Sequence, residues 1–275
     1  MNQNRIPTVL AIAGSDSGAG AGIQADLKAL TACGVYGTTA ITAITAQNTV
    51  AVSAVEPISP AMIVAQVRAV VEDIRVDAVK VGMLGTAETV GAVVEALDLV
   101  GDAPVVVDPV MVAESGAVLL DDEARTALIE DLLPRADVVT PNIPEARALV
   151  GAGGQDSQED LAREVLALGP EAVVVTGGHS EQVVDIYFDG VHAAAIHGNR
   201  YPDGAAHGSG CTYSSAMAAM FALGRNPLRA AERARQITEE AIRTGLREIG
   251  HGAGPVDIFD LLGSEAAIRR PRSAQ

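Results

Sequence analysis

The chain has 275 residues, of which 48% are hydrophobic and 20% are charged, with 28 glycines and 13 prolines. This composition is that of a folded α/β protein, and it excludes intrinsic disorder and collagen-like structure. Thirty-five acidic residues against 19 basic ones give a formal net charge of −16, which disfavours nucleic acid and acidic membranes as partners. An anionic substrate would have to be attracted locally, by backbone amides, helix N-termini or a metal ion.

Cysteine content and the N-terminus indicate the compartment. Cys33 and Cys211 are too few for a disulfide framework, and neither stands in a zinc-binding pattern. The N-terminus has no apolar signal core, and no stretch reaches the roughly 18 apolar residues that a membrane span requires. We therefore expect a cytoplasmic protein. A single domain is expected over residues 1–275, with a flexible turn at 151–155 and a frayed tail at 266–275.

Apolar β-branched stretches alternate with amphipathic ones along the chain. The apolar stretches predict strands at 8–13, 38–46, 78–81, 105–108, 137–140 and 172–176, and a hairpin at 183–188 and 191–195. The amphipathic stretches predict helices at 22–33, 59–74, 86–100, 121–133, 157–168, 211–223 and 227–249. Continuous apolar strands between helices predict a mostly parallel sheet that is covered on both faces. Ligands bind such sheets beyond the carboxyl ends of the strands.

The first loop in such a position is glycine-rich and covers residues 14–22. It could cradle a phosphate or simply allow close packing of helix on strand. The spacing Gly20-x-Gly22-x-x-Ala25 fits a loose dinucleotide fingerprint. However, the acidic residue expected after the next strand is absent, since Gln47 stands there. This absence argues against a nicotinamide-dependent oxidoreductase.

A second glycine-rich segment, residues 207–211, comes directly before a predicted apolar helix. The amides of Gly208, Ser209, Gly210 and Cys211 would converge there, and the helix dipole would add partial positive charge. This pattern favours an anion site. Cys211 lies in the first helical turn, where thiol pKa values fall, so it is a candidate base or nucleophile. The alternative is a small buried cysteine that fills a gap.

Carboxylates follow two neighbouring strands. Asp108 ends one of them, and Asn142 and Glu145 follow the next. Carboxylate oxygens, together with phosphate and water, are the ligands that Mg²⁺ prefers. The alternatives are a helix cap at Asn142 and a solvated Glu145.

Three further side chains could contact a flat ring. Gln47 ends a long strand and offers a donor and an acceptor together, which complements the edge of an aminopyrimidine or a pyridine. Met83 and Val110 follow strands and could form apolar walls. Core packing is the ordinary alternative for both.

Seven segments, in this order, resemble the hydroxymethylpyrimidine and phosphomethylpyrimidine kinases of thiamine biosynthesis. They are residues 13–16, 20–28, 46–49, 82–84, 108–111, 140–142 and 207–212, and the likeness extends from about Val9 to Val256. The resemblance implies a ribokinase-like three-layer α/β/α sandwich and a homodimer. It also implies ATP-dependent phosphorylation of 4-amino-5-hydroxymethyl-2-methylpyrimidine, and of its monophosphate to the pyrophosphate.

The resemblance also assigns roles to residues. Those expected to line the pyrimidine pocket are Gln47, Gly14, Asp26, Met83 and Val110. Asp108 and Glu145 would hold Mg²⁺ through water, and Cys211 would accept the proton of the substrate hydroxymethyl. The amides of 208–211 would stabilise the transferred phosphoryl group, and Asn142, Thr176 and Gly178 would lie near ATP.

Two departures from the family pattern stand out. Family members commonly carry a lysine where this chain has Thr176, so a positive charge near the nucleotide is missing. Residues 200–206 also differ from the usual polar segment before the His-Gly-Ser/Thr-Gly-Cys motif. We expect catalysis to survive, because phosphoryl transfer relies on several stabilising groups. A pyridoxal kinase on the same scaffold and a non-catalytic ligand-binding protein remain the alternatives.

Overall fold

The computed structural model describes residues 5–114, 116–151, 157–178, 183–201, 205–259 and 261. The expected tail at 266–275 and most of the expected turn at 151–155 lie outside these residues. Nine strands of the described chain form one sheet in the order β3-β2-β1-β4-β5-β6-β7-β8-β9. Their bounds are β1 Thr8–Asp16, β2 Tyr36–Gln47, β3 Val52–Pro57, β4 Ala78–Val81, β5 Val105–Val107, β6 Val138–Val139, β7 Val173–Val175, β8 Val184–Phe188 and β9 Ala193–His197.

The sheet is parallel from β2 to β7, and it has antiparallel strands at both edges. β3 pairs antiparallel with β2, while β8 and β9 form an antiparallel hairpin beside β7. The central strands are short runs of buried apolar residues, since both of their faces are covered. The predicted mostly parallel sheet is thereby confirmed. Its parallel strands direct their carboxyl ends to a single edge of the sheet.

Helices cover both faces of the sheet. Their bounds are α1 Gly22–Ala32, α2 Pro60–Val71, α3 Ala87–Leu97, α4 Asp122–Ala127, α5 Ile143–Val150, α6 Gln158–Leu166, α7 Ser209–Ala222 and α8 Pro227–Arg243. One apolar core includes Leu30 of α1 and Met217 of α7. The other includes Ile63 of α2, Val93 of α3 and Leu161 of α6. The three-layer α/β/α arrangement predicted from the sequence is therefore present. No helix among the described residues combines the length and apolar character needed to cross a bilayer.

Four elements differ clearly from the sequence prediction. The helix expected at 121–133 is an α-helix only as far as Ala127, and it continues as a π-helical turn at Leu128–Leu132. β3 was not predicted, because this edge strand is mostly exposed and lacks an apolar pattern. β9 begins two residues later than expected: the carboxylate of Asp189 accepts the amides of Val191 and His192 and lengthens the turn. α8 ends at Arg243 rather than at 249. There the chain turns at Gly245, where a Cβ would lie only 2.6 Å from the Cβ of Ala205.

A buried ion pair joins the sheet to one helical layer. Lys80 of β4 has no exposed surface, and its Nζ lies 2.9 Å from Oδ1 of Asp26 on α1. The same ammonium lies 3.9 Å from Oδ2 of Asp108, at the end of β5. Ser215 of α7 donates a hydrogen bond to Asp26, and its neighbour Ser214 donates one to Asp108. Two serines of α7 thus contact the carboxylates on either side of Lys80.

Replacement of Lys80 by methionine should strongly destabilise the fold. The variant leaves Asp26 buried and unpaired, and loss of one partner from a buried pair costs about 3–5 kcal/mol. Urea unfolding should show this loss, and the Lys80→Met, Asp26→Asn double variant should be more stable than the single variant. Arg229→Met is the control, because Arg229 is largely exposed and its ion pair with the partly exposed Glu232 lies at the surface. Equal stability of the Lys80 and Arg229 variants would contradict this role of the pair.

Candidate active site

A cavity of about 1250 Å³, counting the solvent in its mouth, opens at the carboxyl ends of the parallel strands. Every residue that the sequence placed in the site contributes to its wall, with one exception. Those that do are Gly14, Gln47, Met83, Asp108, Val110, Asn142, Glu145, Thr176, Gly178, Gly208, Ser209, Gly210 and Cys211. The parallel topology brings these distant segments to one edge of the sheet.

Asp26 is the exception. We expected it to line the pyrimidine pocket, but it is fully buried and does not contribute to the cavity wall. Its carboxylate is held by Lys80 and Ser215 behind the wall. The expectation was wrong because the helical position of Asp26 directs its side chain to the sheet. Lys80, its ion-pair partner, contributes to the cavity wall in its place.

The N-terminus of α7 forms the phosphate-facing part of the wall. Gly208 precedes it with φ +81°, and a Cβ at this position would lie 1.9 Å from the carbonyl oxygen of Gly20. Only glycine meets both conditions. The amide of Ser209 donates to the carbonyl of Ala206 at 2.9 Å, so it is not available to an anion as predicted. The amides of Gly210 and Cys211 lie in the first helical turn, where N–H groups have no partner within the helix.

The glycine-rich loop after β1 does not offer its amides to a phosphate. The carboxylate of Asp16 accepts the amides of Gly18, Gly20 and Ala21 at 2.7–3.0 Å. Burial alone would raise the pKa of Asp16, but these bonds and His207 lower it below its usual value. The phosphate cradle considered for this loop is therefore wrong. The same bonds remove the amides that a dinucleotide pyrophosphate would need.

Two acidic side chains of the wall influence each other. Asp108 is buried, and burial raises the pKa of its carboxyl despite the charge of Lys80 and the hydrogen bond from Ser214. Burial and the charge of Asp108 raise the pKa of Glu145 to about 8. Glu145 also completes a capping box with Asn142, the N-cap of α5. The helix-cap alternative for Asn142 is thus correct. The same residue also lines the cavity.

These two carboxylates fit a divalent cation that shares its ligands with a substrate. Burial and then the charge of Asp108 raise the pKa of Glu145, and a cation bound between the two carboxylates would offset both effects. The described residues contain no group of three or more His, Cys, Asp or Glu side chains placed to hold a metal. A site with two carboxylates, completed by water and phosphate oxygens, suits Mg²⁺ rather than a metal held by protein alone.

Cys211 differs from the expectation in its ionisation. The residue is half-buried in the wall. Burial raises the pKa of its thiol to about 12, since the opposing charge of Lys80 and the amide of Gly22 are outweighed. Asp26 and Asp108 add negative charge and raise the pKa further. The predicted low-pKa thiol is therefore wrong for the protein without ligands, because enclosure and nearby carboxylates outweigh the helix terminus.

The ring-binding side of the cavity is built around Gly14 and Gln47. A Cβ on Gly14 would lie 3.0 Å from the sulfur of Met83, so the glycine allows the methionine to pack closely. The side-chain oxygen of Gln47 accepts a bond from the Thr45 hydroxyl at 3.1 Å. This contact orients the side-chain amide of Gln47 and leaves its NH₂ group free to donate a hydrogen bond to a ligand. Val110 lies in the same wall.

The expected nucleotide side lies at the ends of β6 and β7. Thr176 and Asn142 form a parallel bridge, and the amide of Thr176 donates to the carbonyl of Pro141 at 2.8 Å. Among the described residues, no atom lies within 4 Å of where a Cβ on Gly178 would stand. The turn therefore presents backbone and a hydroxyl, without a charged side chain at position 176.

Sequence reasoning missed several polar residues of the wall. They include Asp16, Lys80, Glu114, His207, Arg235 and Thr238. Lys80 carried a signal, since a lysine inside a valine strand is unusual in a buried position. His207 belongs to the recognised glycine-rich motif, and Asp16 begins the first glycine loop. Arg235 and Thr238 belong to no motif, and they reach the cavity only through the packing of α8.

Comparison with known proteins decides the family. The family model described as phosphomethylpyrimidine kinase matches residues 16–257. The hydroxymethylpyrimidine/phosphomethylpyrimidine kinase of Rhizobium meliloti is 47% identical over 91% of this chain and 96% of its own. The corresponding protein of Bacillus subtilis is 42% identical over 91% of this chain and 94% of its own. The chain belongs to the phosphomethylpyrimidine kinase family.

Solved structures of related kinases share the fold. A pyridoxal kinase from Staphylococcus aureus in complex with pyridoxal gives a TM-score of 0.84 at 35% identity, covering 93% of this chain and 94% of its own. A phosphomethylpyrimidine kinase from Clostridium difficile gives 0.75 at 42% identity, covering 86% of this chain and all of its own. The ribokinase-like architecture expected of this phosphomethylpyrimidine kinase family member is thus confirmed.

The raised pKa of Cys211 predicts slow alkylation with a steep pH dependence. Because the folded pKa of about 12 lies above that of an ordinary thiol, the thiolate fraction should rise tenfold for each pH unit from pH 7 to 10 without a plateau. Iodoacetamide labelling of the native protein, measured for each cysteine peptide by mass spectrometry, checks this. The urea-unfolded protein is the control and should level off near pH 9. A plateau below pH 9 in the native protein would contradict the raised pKa.

Proposed function

We propose that this kinase transfers the γ-phosphoryl group of ATP to the hydroxymethyl group of 4-amino-5-hydroxymethyl-2-methylpyrimidine, and then phosphorylates the monophosphate to the pyrophosphate. The observation that carries the proposal is that Gln47, the α7 N-terminus and the Asp108–Glu145 carboxylates line one cavity. Strong sequence identity to relatives with these activities supports the same assignment.

Ring binding is assigned to the side of the cavity that contains Gln47. The amide NH₂ can donate to a ring nitrogen, while Met83 and Val110 supply apolar surface for the flat ring. Gly14 leaves space beside Met83. A ring held there would direct its hydroxymethyl group towards Cys211, in the same wall.

Phosphoryl transfer is assigned to the N-terminus of α7. The transition state spreads negative charge over the equatorial oxygens of the transferred group, and the amides of Gly210 and Cys211 can stabilise that charge. Asn142, Thr176 and Gly178 would bind the remainder of ATP. Asp108 and Glu145 would hold Mg²⁺, which supplies charge neutralisation on the phosphates when bound.

Cys211 is proposed to accept the proton of the hydroxymethyl group. The thiol is protonated at neutral pH because its pKa is raised, so only a small thiolate fraction can act at any moment. Phosphoryl transfer tolerates this, since positioning and electrostatic stabilisation of a loose transition state supply most of its rate, and the base adds its usual factor as the proton leaves. Activity should consequently increase with pH above neutrality.

Substrate specificity can be measured directly. ADP release with ATP should be at least tenfold more efficient, in kcat/KM, for the hydroxymethylpyrimidine than for pyridoxal. The monophosphate should also be a substrate. Pyridoxal is the relevant competitor because the S. aureus enzyme of that name shares the fold and also acts on a hydroxymethylated nitrogen ring. A preference for pyridoxal would replace the proposed substrate, and substrate binding without ADP release would indicate a non-catalytic protein.

The role of Cys211 can be tested by its replacement. Cys211→Ala should lower kcat by about 10²–10⁴, the usual range for loss of a general base, while KM for ATP changes little. The kcat of the wild type should rise more steeply between pH 7 and 9 than that of the variant, in which Glu145 still titrates in this range but the thiol is absent. Thermal unfolding controls for folding. Full activity of a folded Cys211→Ala protein would remove the assigned base.

Assembly and location are further proposals. The homodimer rests on the family resemblance alone, and the cytoplasmic location rests on the composition and on the two free cysteines.

A further inference from the structure

The cavity wall, as far as the structure describes it, contains three basic side chains: Lys80, His207 and Arg235. Lys80 is fully buried and bonded to Asp26 at 2.9 Å. His207 lies 3.7 Å from the carboxylate of Asp16. Arg235 is the one of these three with a buried N–H group that has no hydrogen-bond partner among the described residues, and this makes it the cation of the wall that is best able to bind an added anion.

The guanidinium of Arg235 is enclosed but incompletely bonded. Its side chain is 6% exposed, and its Nη1 lies 3.5 Å from the carboxylate of Asp185, at the limit of a hydrogen bond. Its Nε is buried and has no hydrogen-bond partner among the described residues. Gly198 makes room for it, since a Cβ there would lie 2.5 Å from Nε. A buried N–H without a partner is unfavourable, so this group is completed only by a further acceptor.

Thr238 gives a second, independent indication. It follows Arg235 by three residues on α8, so both side chains lie on the same side of the helix. Thr238 is 3% exposed and lines the cavity. Its hydroxyl has no hydrogen-bond partner among the described residues. Two buried donors one turn apart therefore belong to the same wall.

The position of Arg235 connects it to the nucleotide side of the site. Asp185, which contacts Arg235, also accepts the amide of Gly177 at 3.0 Å. Gly177 lies between Thr176 and Gly178, both of which line the cavity. The guanidinium is thus linked by one carboxylate to the turn that lacks a charged side chain at position 176.

We propose that Arg235 and Thr238 bind the phosphate chain of the nucleotide, with Arg235 supplying the positive charge that Thr176 does not. The inference rests on the proposed use of ATP. A polyphosphate would need a positive group in this wall, because the described wall also contains four carboxylates, those of Asp16, Asp108, Glu114 and Glu145. A guanidinium can donate two parallel hydrogen bonds to phosphate oxygens.

Calorimetric titration of the full chain with ATP, ADP, AMP and adenosine tests this binding. Arg235→Met should weaken ATP and ADP at least tenfold and adenosine less than twofold, because only the phosphates are contacted. Arg235→Lys should recover part of the affinity. Arg229→Met, which removes an exposed arginine from the same helix, is the matched control and should bind ATP like the wild type. Equal ATP binding by Arg235→Met and wild type would overturn the proposal, as would equal weakening of adenosine and ATP.

Two additional variants separate binding from folding. Arg235→Met leaves the buried Asp185 without its cation, so the Asp185→Asn, Arg235→Met double variant provides a neutral pair and should show the same loss of ATP affinity. Thr238→Val removes only the hydroxyl and should weaken ATP about threefold. A double variant that folds and binds ATP like the wild type would overturn the proposal.

Steady-state kinetics distinguish this inference from the proposed function. The Arg235 variants should raise KM for ATP and leave KM for the pyrimidine within twofold. A wild-type protein that binds ATP but phosphorylates neither pyrimidine would defeat the proposed substrate and leave the phosphate contact intact. A wild type that phosphorylates the pyrimidine, with KM for ATP unchanged in Arg235→Met, would defeat the phosphate contact alone.

Discussion

The ammonium of Lys80 is the group on which the arrangement of the site depends. It lies within the sheet between Asp26 and Asp108, and α7 contacts both carboxylates through adjacent serines. Helix α7 begins at the expected phosphate site. A single buried cation therefore fixes the depth and rotation of the helix whose first amides face the cavity. Because Lys80 also lines the cavity, the interaction that holds the helix contributes positive charge to the site.

Charge in this protein is organised on two scales. The molecule as a whole carries a net charge of −16, and the described cavity wall adds four carboxylates. An anionic substrate is nevertheless compatible with such a surface, because screened long-range repulsion is weaker than direct bonds from amides, a guanidinium and a shared cation. Excess carboxylate in the wall is also what makes a divalent ion favourable there. The net negative charge of the chain is therefore compatible with the proposed binding of ATP.

The sequence predicts the fold and most of the cavity wall, for identifiable reasons. Short valine strands between helices indicate a parallel sheet, and its geometry brings Gln47, Asp108 and Gly208 to one edge without any knowledge of their contacts. The predictions that fail are those that depend on how deeply a side chain is buried in the folded protein. The orientation of Asp26 depends on Lys80, 54 residues away, and the thiol of Cys211 is governed by burial rather than by its helical position. Arg235 was missed because α8 has no motif that marks it.

The two glycine-rich loops are in direct contact. The carbonyl of Gly20 approaches Gly208 so closely that a Cβ cannot stand between them, and a Cβ on Gly20 would meet the ring of His207 at 2.2 Å. The loop that follows β1 and the start of α7 therefore form one interlocked unit, with Asp16 holding the first loop closed. Because the two loops meet without a gap at Gly20 and Gly208, neither could shift towards the other without displacing it, and the ring-binding and phosphate-binding halves of the cavity share one rigid border.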